Sequence, residues 1–328
     1  MRLSISMTVL HSHIKTSRRA LLLASAGVSV ASTLARPVHA AAADSWTATQ
    51  PVLQNAGWFS LKAAGATIHV ISDGTGAQSV ELALAPRETV AEYLKRSLLS
   101  PETLESFRNV FLIEMPGRRI LVDTGYGAQK GLAFKRLLSA GLSPESVTDI
   151  LITHCHGDHI SGLLAGSECA FPKAMAWVSL EDLESFRLKT PKEAVRKATE
   201  RAFAPYFIRR AVHYFNEGEE IIPGIRAYRH PGHTPGHTFY ELTSAGQTVV
   251  FAGDVAHMAA LQFARPDISV KYDMQPEQAA QERKALFARA ADSGVLIAGT
   301  HLPFPGIGHV RREAEGYSFL PVPFRDRA

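Results

Sequence analysis

The 328-residue sequence has little cysteine, two residues in all, and only three tryptophans. So few cysteines exclude a disulfide-stapled scaffold and a cysteine-rich zinc module. An oxidising compartment would permit one bond between Cys155 and Cys169. Cys155 lies inside a histidine-rich loop, however, and two buried thiols are the expectation. Beyond residue 40 no apolar run is long enough for a membrane span, and there is no short repeat. Net charge is also scarce. The formal balance is +4, but residues 1–40 hold Arg2, Lys15, Arg18, Arg19 and Arg36 and no acid; without these five, 30 basic residues face 31 acidic ones. A nearly neutral chain lacks the basic surface that a nucleic-acid substrate requires. The remaining composition, 46% hydrophobic and 20% charged, is that of a globular protein with one large or two small domains.

The first forty residues read as an export segment. Ser17-Arg18-Arg19 precedes an apolar stretch, Ala20 to Leu34, too short to span a bilayer comfortably. Val38-His39-Ala40 then offers the small residues a signal peptidase needs. The paired arginines resemble the twin-arginine signal, although Leu21 and Leu23 stand where that pattern prefers Phe and Lys; general secretion is the alternative. The expected organisation is residues 1–40 as leader, 41–56 as a flexible start, 57–320 as one catalytic domain and 321–328 as a tail. The mature protein is expected in the periplasm or outside the cell, with no stable membrane insertion once the leader is gone.

The chemistry is concentrated in Thr153-His154-Cys155-His156-Gly157-Asp158-His159. An apolar run, Ile150-Leu151-Ile152, precedes it and reads as a buried strand opening into a loop. Side chains alternate along extended backbone, so His154 and His156 point one way and Cys155 the other. Gly157 permits a sharp turn before Asp158 and His159. The loop can therefore offer imidazoles to one cation, and a carboxylate plus an imidazole to a second. Three further sets stand at strand ends: the turn His230-Pro231-Gly232-His233-Thr234-Pro235-Gly236-His237, Gly253-Asp254 after an apolar strand, and Gly299-Thr300-His301. Spacing alone does not choose among His230, His233 and His237. Asp123, at the end of the strand Arg119 to Val122, is either a helix cap or a carboxylate that orients a ligand histidine.

Other strands are expected at Trp58–Leu61, at Thr67–Ser72 ending in the turn Asp73-Gly74-Thr75-Gly76, and in a hairpin of Val110–Glu114 with Arg119–Val122. Short strands follow at Ala174–Val178, Ala211–Phe215, Ile225–Arg229, Phe239–Leu242, Thr248–Ala252 and Val295–Ala298. Helices are expected around Val90–Leu99, from Ser179 to about Arg210, and from Pro276 to a stop at Gly294. Strand blocks followed by helices occur in both halves. That pattern suggests an α/β protein of four layers, two sheets face to face with helices outside.

The order His-x-His-x-Asp-His, Gly-His-Thr-Pro-Gly-His, Gly-Asp and a late Thr-His resembles the metallo-β-lactamase fold superfamily over roughly residues 57–320. Within it, the run Thr300 to His309 and Ala259-Ala260-Leu261-Gln262-Phe263 are most like the branch of methyl parathion hydrolase and the N-acyl homoserine lactonases. The resemblance implies the four-layer αβ/βα sandwich and two divalent ions, most simply zinc. It implies His154, His156 and His233 on one ion, Asp158, His159 and His301 on the other, and Asp254 bridging both. It also selects His233 over its neighbours, leaves His237 and His230 to support and packing, and makes Asp123 the family's buried acid.

A hydroxide shared by such a pair would attack a small ester, lactone or phosphotriester. Lactonases of this branch carry a tyrosine three residues after the bridging aspartate, where this sequence has His257. That histidine either hydrogen-bonds or protonates a leaving oxygen, or is simply packed; with Asp158 it is the candidate catalytic side chain. Phe186 has an aromatic counterpart in methyl parathion hydrolase, but Arg187 falls where a tryptophan is expected. The alternatives are a thioester hydrolase or β-lactamase on the same centre, an iron-dependent redox enzyme, and a metal-binding protein without activity. A small-molecule substrate is the expected partner, and a homodimer the expected assembly.

Overall fold

The computed structural model describes residues 57–324. The expected leader 1–40 and the start to residue 56 lie outside the described residues, as do the last four. Sixteen strands form in chain order: β1 (Trp58–Ala63), β2 (Ala66–Ser79), β3 (Thr103–Met115), β4 (Arg118–Val122), β5 (Asp149–Leu151), β6 (Leu164–Ala165), β7 (Glu168–Cys169), β8 (Met175–Trp177), β9 (Val212–His213), β10 (Glu219–Ile222), β11 (Ile225–Arg229), β12 (Thr238–Ser244), β13 (Gln247–Phe251), β14 (Leu296–Ala298), β15 (Ile307–Arg312) and β16 (Tyr317–Pro321). Seven make one sheet, β1-β2-β3-β4-β5-β8-β9, and seven a second, β10 through β16 in order; β6 and β7 form a small hairpin.

Strand alternation explains the layers. On β3, Val110 and Leu112 face one core while Phe111 and Ile113 face another. On β13, Val249 and Phe251 join that second core, and Val250 turns outward. The central core is thus sheet on sheet, with the Phe111 and Phe251 rings meeting edge to face at 5.5 Å. Outside the first sheet, Ile150 and Leu121 pack with Phe203 and Tyr206 of the helix Glu193–Ile208. Outside the second, Val250 and Ile297 pack with Leu286 and Phe287 of the helix Pro276–Ser293. Helix, sheet, sheet, helix is the expected four-layer order.

Both sheets contain parallel strands. β4, β5, β8 and β9 run parallel in the first, and β13 and β14 in the second. His154, Asp254 and His301 each come third after the end of β5, β13 and β14 respectively, and Asp123 directly follows β4. Carboxyl ends of parallel strands are where open α/β sheets collect ligands.

Two expectations need correction. Asp73-Gly74-Thr75-Gly76 does not end β2. The strand runs on to Ser79, with a register shift between Ser72 and Gly74 and Gly74 at φ +106°. The segment is a bulge, and the Asp73 carboxylate that it turns inward accepts N–H bonds from Tyr126, Leu132 and Ala133. The boundary at residue 320 also falls short, because β16 includes Pro321 and the Val322 N–H still bonds to Ile307 O at 3.0 Å. Among the described residues, no helix is long and apolar enough to cross a membrane.

Candidate metal centre

The histidine-rich loop is held from below by a carboxylate. Asp123 accepts the Thr153 N–H at 2.9 Å on one oxygen and the Thr153 hydroxyl at 2.8 Å on the other. The second oxygen also takes a bond from His159 Nδ1 at 2.7 Å, which leaves His159 Nε2 as the free ligand nitrogen. Of the two readings of Asp123, orientation of a ligand histidine is the one the geometry matches. Cys155 points away as strand alternation requires and is buried in the outer core. Both cysteines are free.

The other segments bring their side chains to the same place. His233 lies between β11 and β12, and its Nδ1 bonds to Asp273 at 2.9 Å. Asp254 follows Gly253, which has φ +46° and no room for a Cβ: one built there would stand 2.7 Å from His237 Nε2. His301 Nδ1 donates to Phe107 O at 2.6 Å. Asn109, on β3, donates to Leu302 O at 2.8 Å and ties that loop to the first sheet.

The donor atoms fall into groups. Those of His154, His156, His233 and Asp254 lie within 4.8 Å of one another, and so do those of Asp158, His159 and His301. His156 Nδ1 is 2.9 Å from His154 Nε2 and 3.0 Å from His233 Nε2. Asp254 stands between the groups. Its Oδ1 is 3.2 Å from His159 Nε2, and its Oδ2 is 3.1 Å from His301 Nε2, 3.3 Å from His233 Nε2 and 3.6 Å from His154 Nε2. Yet Asp254 Oδ1 and His159 Nε2 are both buried without a hydrogen-bond partner. Buried polar atoms normally find one. Imidazole and carboxylate donors crowded at such spacings, with two left unpaired, fit a pair of divalent cations.

The electrostatics favour neutral imidazoles at His154 and His156, whereas at His233 burial is outweighed by Asp254 and Asp273, which raise that group. Burial drives His154 well below its ordinary range and brings His156 down to about 3. Burial acts on His301 in the same direction, but Asp254 and Asp158 outweigh it and raise that group to about 10. Burial would raise Asp254, yet the surrounding imidazoles, His159 first, hold its carboxyl well below the usual range.

All seven expected ligands therefore converge, and His257 joins them with Nε2 at 3.2 Å from Asp254 Oδ2. His237 accepts the Asp254 N–H at 3.1 Å, a supporting part. His230 stacks on Phe239 at 4.0 Å and bonds to Glu282. Phe186 packs edge-on against His156 at 5.2 Å, whereas the Arg187 guanidinium lies over the Phe207 ring at 4.9 Å.

A family model described as the metallo-beta-lactamase superfamily matches residues 104–301. The chain belongs to the metallo-β-lactamase superfamily. Among solved structures it is similar to the hydrolase AbOPH of the beta lactamase superfamily, at 34% identity and TM-score 0.78, covering 83% of this chain and all of that one. AidC, a dizinc quorum-quenching lactonase with product bound, shares the fold at TM-score 0.75 and 22% identity, covering 82% and 99% of the two chains. Hydroxyacylglutathione hydrolase of Xylella fastidiosa (strain M12) is 33% identical over 144 residues, 44% of this chain and 43% of that protein. The chain thus spans less than half the length of the curated relatives it first matches.

Sequence reasoning missed three supports of this superfamily site. Asp273 orients His233, and its other oxygen lies 3.4 Å from the buried Arg283. Asp182 accepts the Cys155 N–H at 2.7 Å and the Gly236 N–H at 3.0 Å, joining the two histidine loops. Gln262 accepts the N–H groups of His257 and Met258 at 2.7 and 2.9 Å. Gln262 had a signal in the Ala259–Phe263 run; Asp182 stands at the capped helix start Ser179–Asp182, which says nothing of its tertiary partners, and Asp273 in a stretch without a motif. A cavity of about 690 Å³ opens above the cluster, with Arg108, Tyr126, Lys271 and Tyr272 on its walls.

Proposed function

We propose that this superfamily hydrolase holds two divalent cations, most simply zinc, and cleaves a small ester, lactone or phosphotriester. The observation that carries the proposal is Asp254, whose carboxylate reaches both donor groups, His159 and His301 of one and His233 of the other. His154, His156 and His233 would hold one ion, Asp158, His159 and His301 the other, and Asp254 both. Such a pair supplies water with a pKa of about 7 and polarises the bond to be broken. Asp158 is the most open carboxylate of the set, at 16% exposure against 2% for Asp254. It would accept the proton released by the attacking water and pass it to the leaving oxygen. The Tyr126 ring, with the Arg108 guanidinium 5.3 Å from its centroid, lines the cavity and would offer a flat face to a small substrate.

The test is a panel of γ-lactones, aryl esters, phosphotriesters, acyl-glutathione thioesters and a chromogenic β-lactam, assayed on protein before and after chelation. Metal-dependent turnover of an oxygen ester is expected. Turnover of the β-lactam alone, or oxygen consumption with one iron, would contradict it. Thioester hydrolysis is the second reading, supported by the 33% identity to hydroxyacylglutathione hydrolase. The proposal includes export on the twin-arginine-like leader to the periplasm or beyond, and assembly as a homodimer. Cell fractionation and sedimentation velocity test these; an unprocessed cytoplasmic chain and a monomer at micromolar concentration would count against them.

A further inference from the structure

We propose that His257 is an eighth protein donor of the metal centre, joining Asp254 and His301 on the second cation. The inference rests on the two-ion reading above and adds to it a residue outside the seven-ligand pattern. Its basis is geometric. The donor atoms of Asp254, His257 and His301 all lie within 4.8 Å of one another. Donors bound about 2.0–2.2 Å from one ion stand roughly 3–3.6 Å apart. His257 Nε2 is 3.2 Å from Asp254 Oδ2, the same spacing that separates His159 from the other oxygen, and His301 stands at 3.1 Å.

The ring is set for this. It stacks on His301 with centroids 4.6 Å apart and planes at 22°, so both imidazoles present Nε2 to the same carboxylate oxygen. Gln262 fixes the backbone beneath it through two N–H bonds, and donates its own amide to Ile268 O at 3.1 Å. A proton donor to a leaving oxygen needs an N–H turned to the substrate. Here Nε2 already faces Asp254, and Nδ1 is buried with no partner.

The unpartnered Nδ1 also sets the strength of the ligand. His159, His233 and His301 are each braced through Nδ1, by Asp123, Asp273 and Phe107 O. His257 has stacking alone, so its loss weakens uptake at the second position without abolishing it. With it, that cation has five protein donors, one more than the seven-residue pattern gives it.

The test is cobalt titration of the metal-free full chain, followed by visible absorption. His257→Phe keeps the stack on His301 and removes the nitrogen. Two cobalt ions are expected in both proteins. In the variant the absorption band shifts and intensifies as one coordination position is lost, and one of the two ions dissociates at least about tenfold more readily. An unchanged spectrum and affinity with two ions bound overturns the ligand role, even if turnover falls. Fewer than two ions in the unaltered protein overturns the two-ion reading instead. Thermal unfolding of the metal-free proteins verifies the fold, and His257→Gln carries the same expectations should the phenylalanine variant misfold.

Discussion

Two cavities lie at opposite ends of the same strands. One, about 800 Å³, is lined by the turns that lead into β4, β5 and β13; the other, about 690 Å³, opens above the carboxyl ends of those strands. At the larger one every charged lining residue but Lys62 has an ion-pair partner. Arg118 pairs with Asp149 at 2.8 Å, and Glu114 with Arg119 at 2.7 Å and His69 at 3.1 Å. None of the residues lining it has a buried polar atom without a partner, whereas Gln78, Arg108, Asp254 and His257 at the smaller one each do. Function follows the unsatisfied polar groups rather than the larger volume. Matched charges complete a surface, but crowded, unpaired donors need a further group.

Mutations can break this contrast. The largest effect is expected from Asp254→Ala, which removes the one side chain facing both donor groups: metal content and turnover should fall together to background, measured by elemental analysis and ester hydrolysis. Asp123→Asn should come next. It deprives Thr153 and His159 of their common anchor, and metal affinity should fall about 10- to 100-fold in a chelator competition. Asp182→Ala leaves two buried N–H groups of the histidine loops without an acceptor, a loss of about 2–4 kcal/mol in urea unfolding. The smallest effect belongs to the other end. Glu114→Gln, at a half-exposed pair, should cost under about 1 kcal/mol and leave turnover unchanged; a large loss of activity there would dissolve the distinction between the two ends.

Much of this was legible in the sequence, for identifiable reasons. His154, His156, Asp158 and His159 sit within one loop, so local spacing and alternation sufficed to read them as a cluster. Val249 to Ala252 and Ile150 to Ile152 announced buried strands by unbroken apolar character. The extension of β2 past Asp73 was not legible. Asp-Gly-Thr-Gly has the composition of a turn, and only pairing with β3 over twelve positions, from Thr67 with Glu114 to Ser79 with Thr103, turns it into a bulge. β10 and β15 were missed because their residues mix charge with apolar side chains, and β16 because it is a short edge segment ending in proline. Asp273 and Asp182 escaped for a different reason. A lone carboxylate carries no pattern, and its partner, His233 in one case and the Cys155 and Gly236 amides in the other, is chosen by tertiary packing.

The central claim is that donors from four separate segments of the chain form one cage for two ions. Elemental analysis of the purified full chain, loaded with zinc and passed through a desalting column, tests it most directly. The account predicts about two zinc ions per chain, both lost with Asp254→Ala; a single ion, or two that survive that substitution, would contradict it.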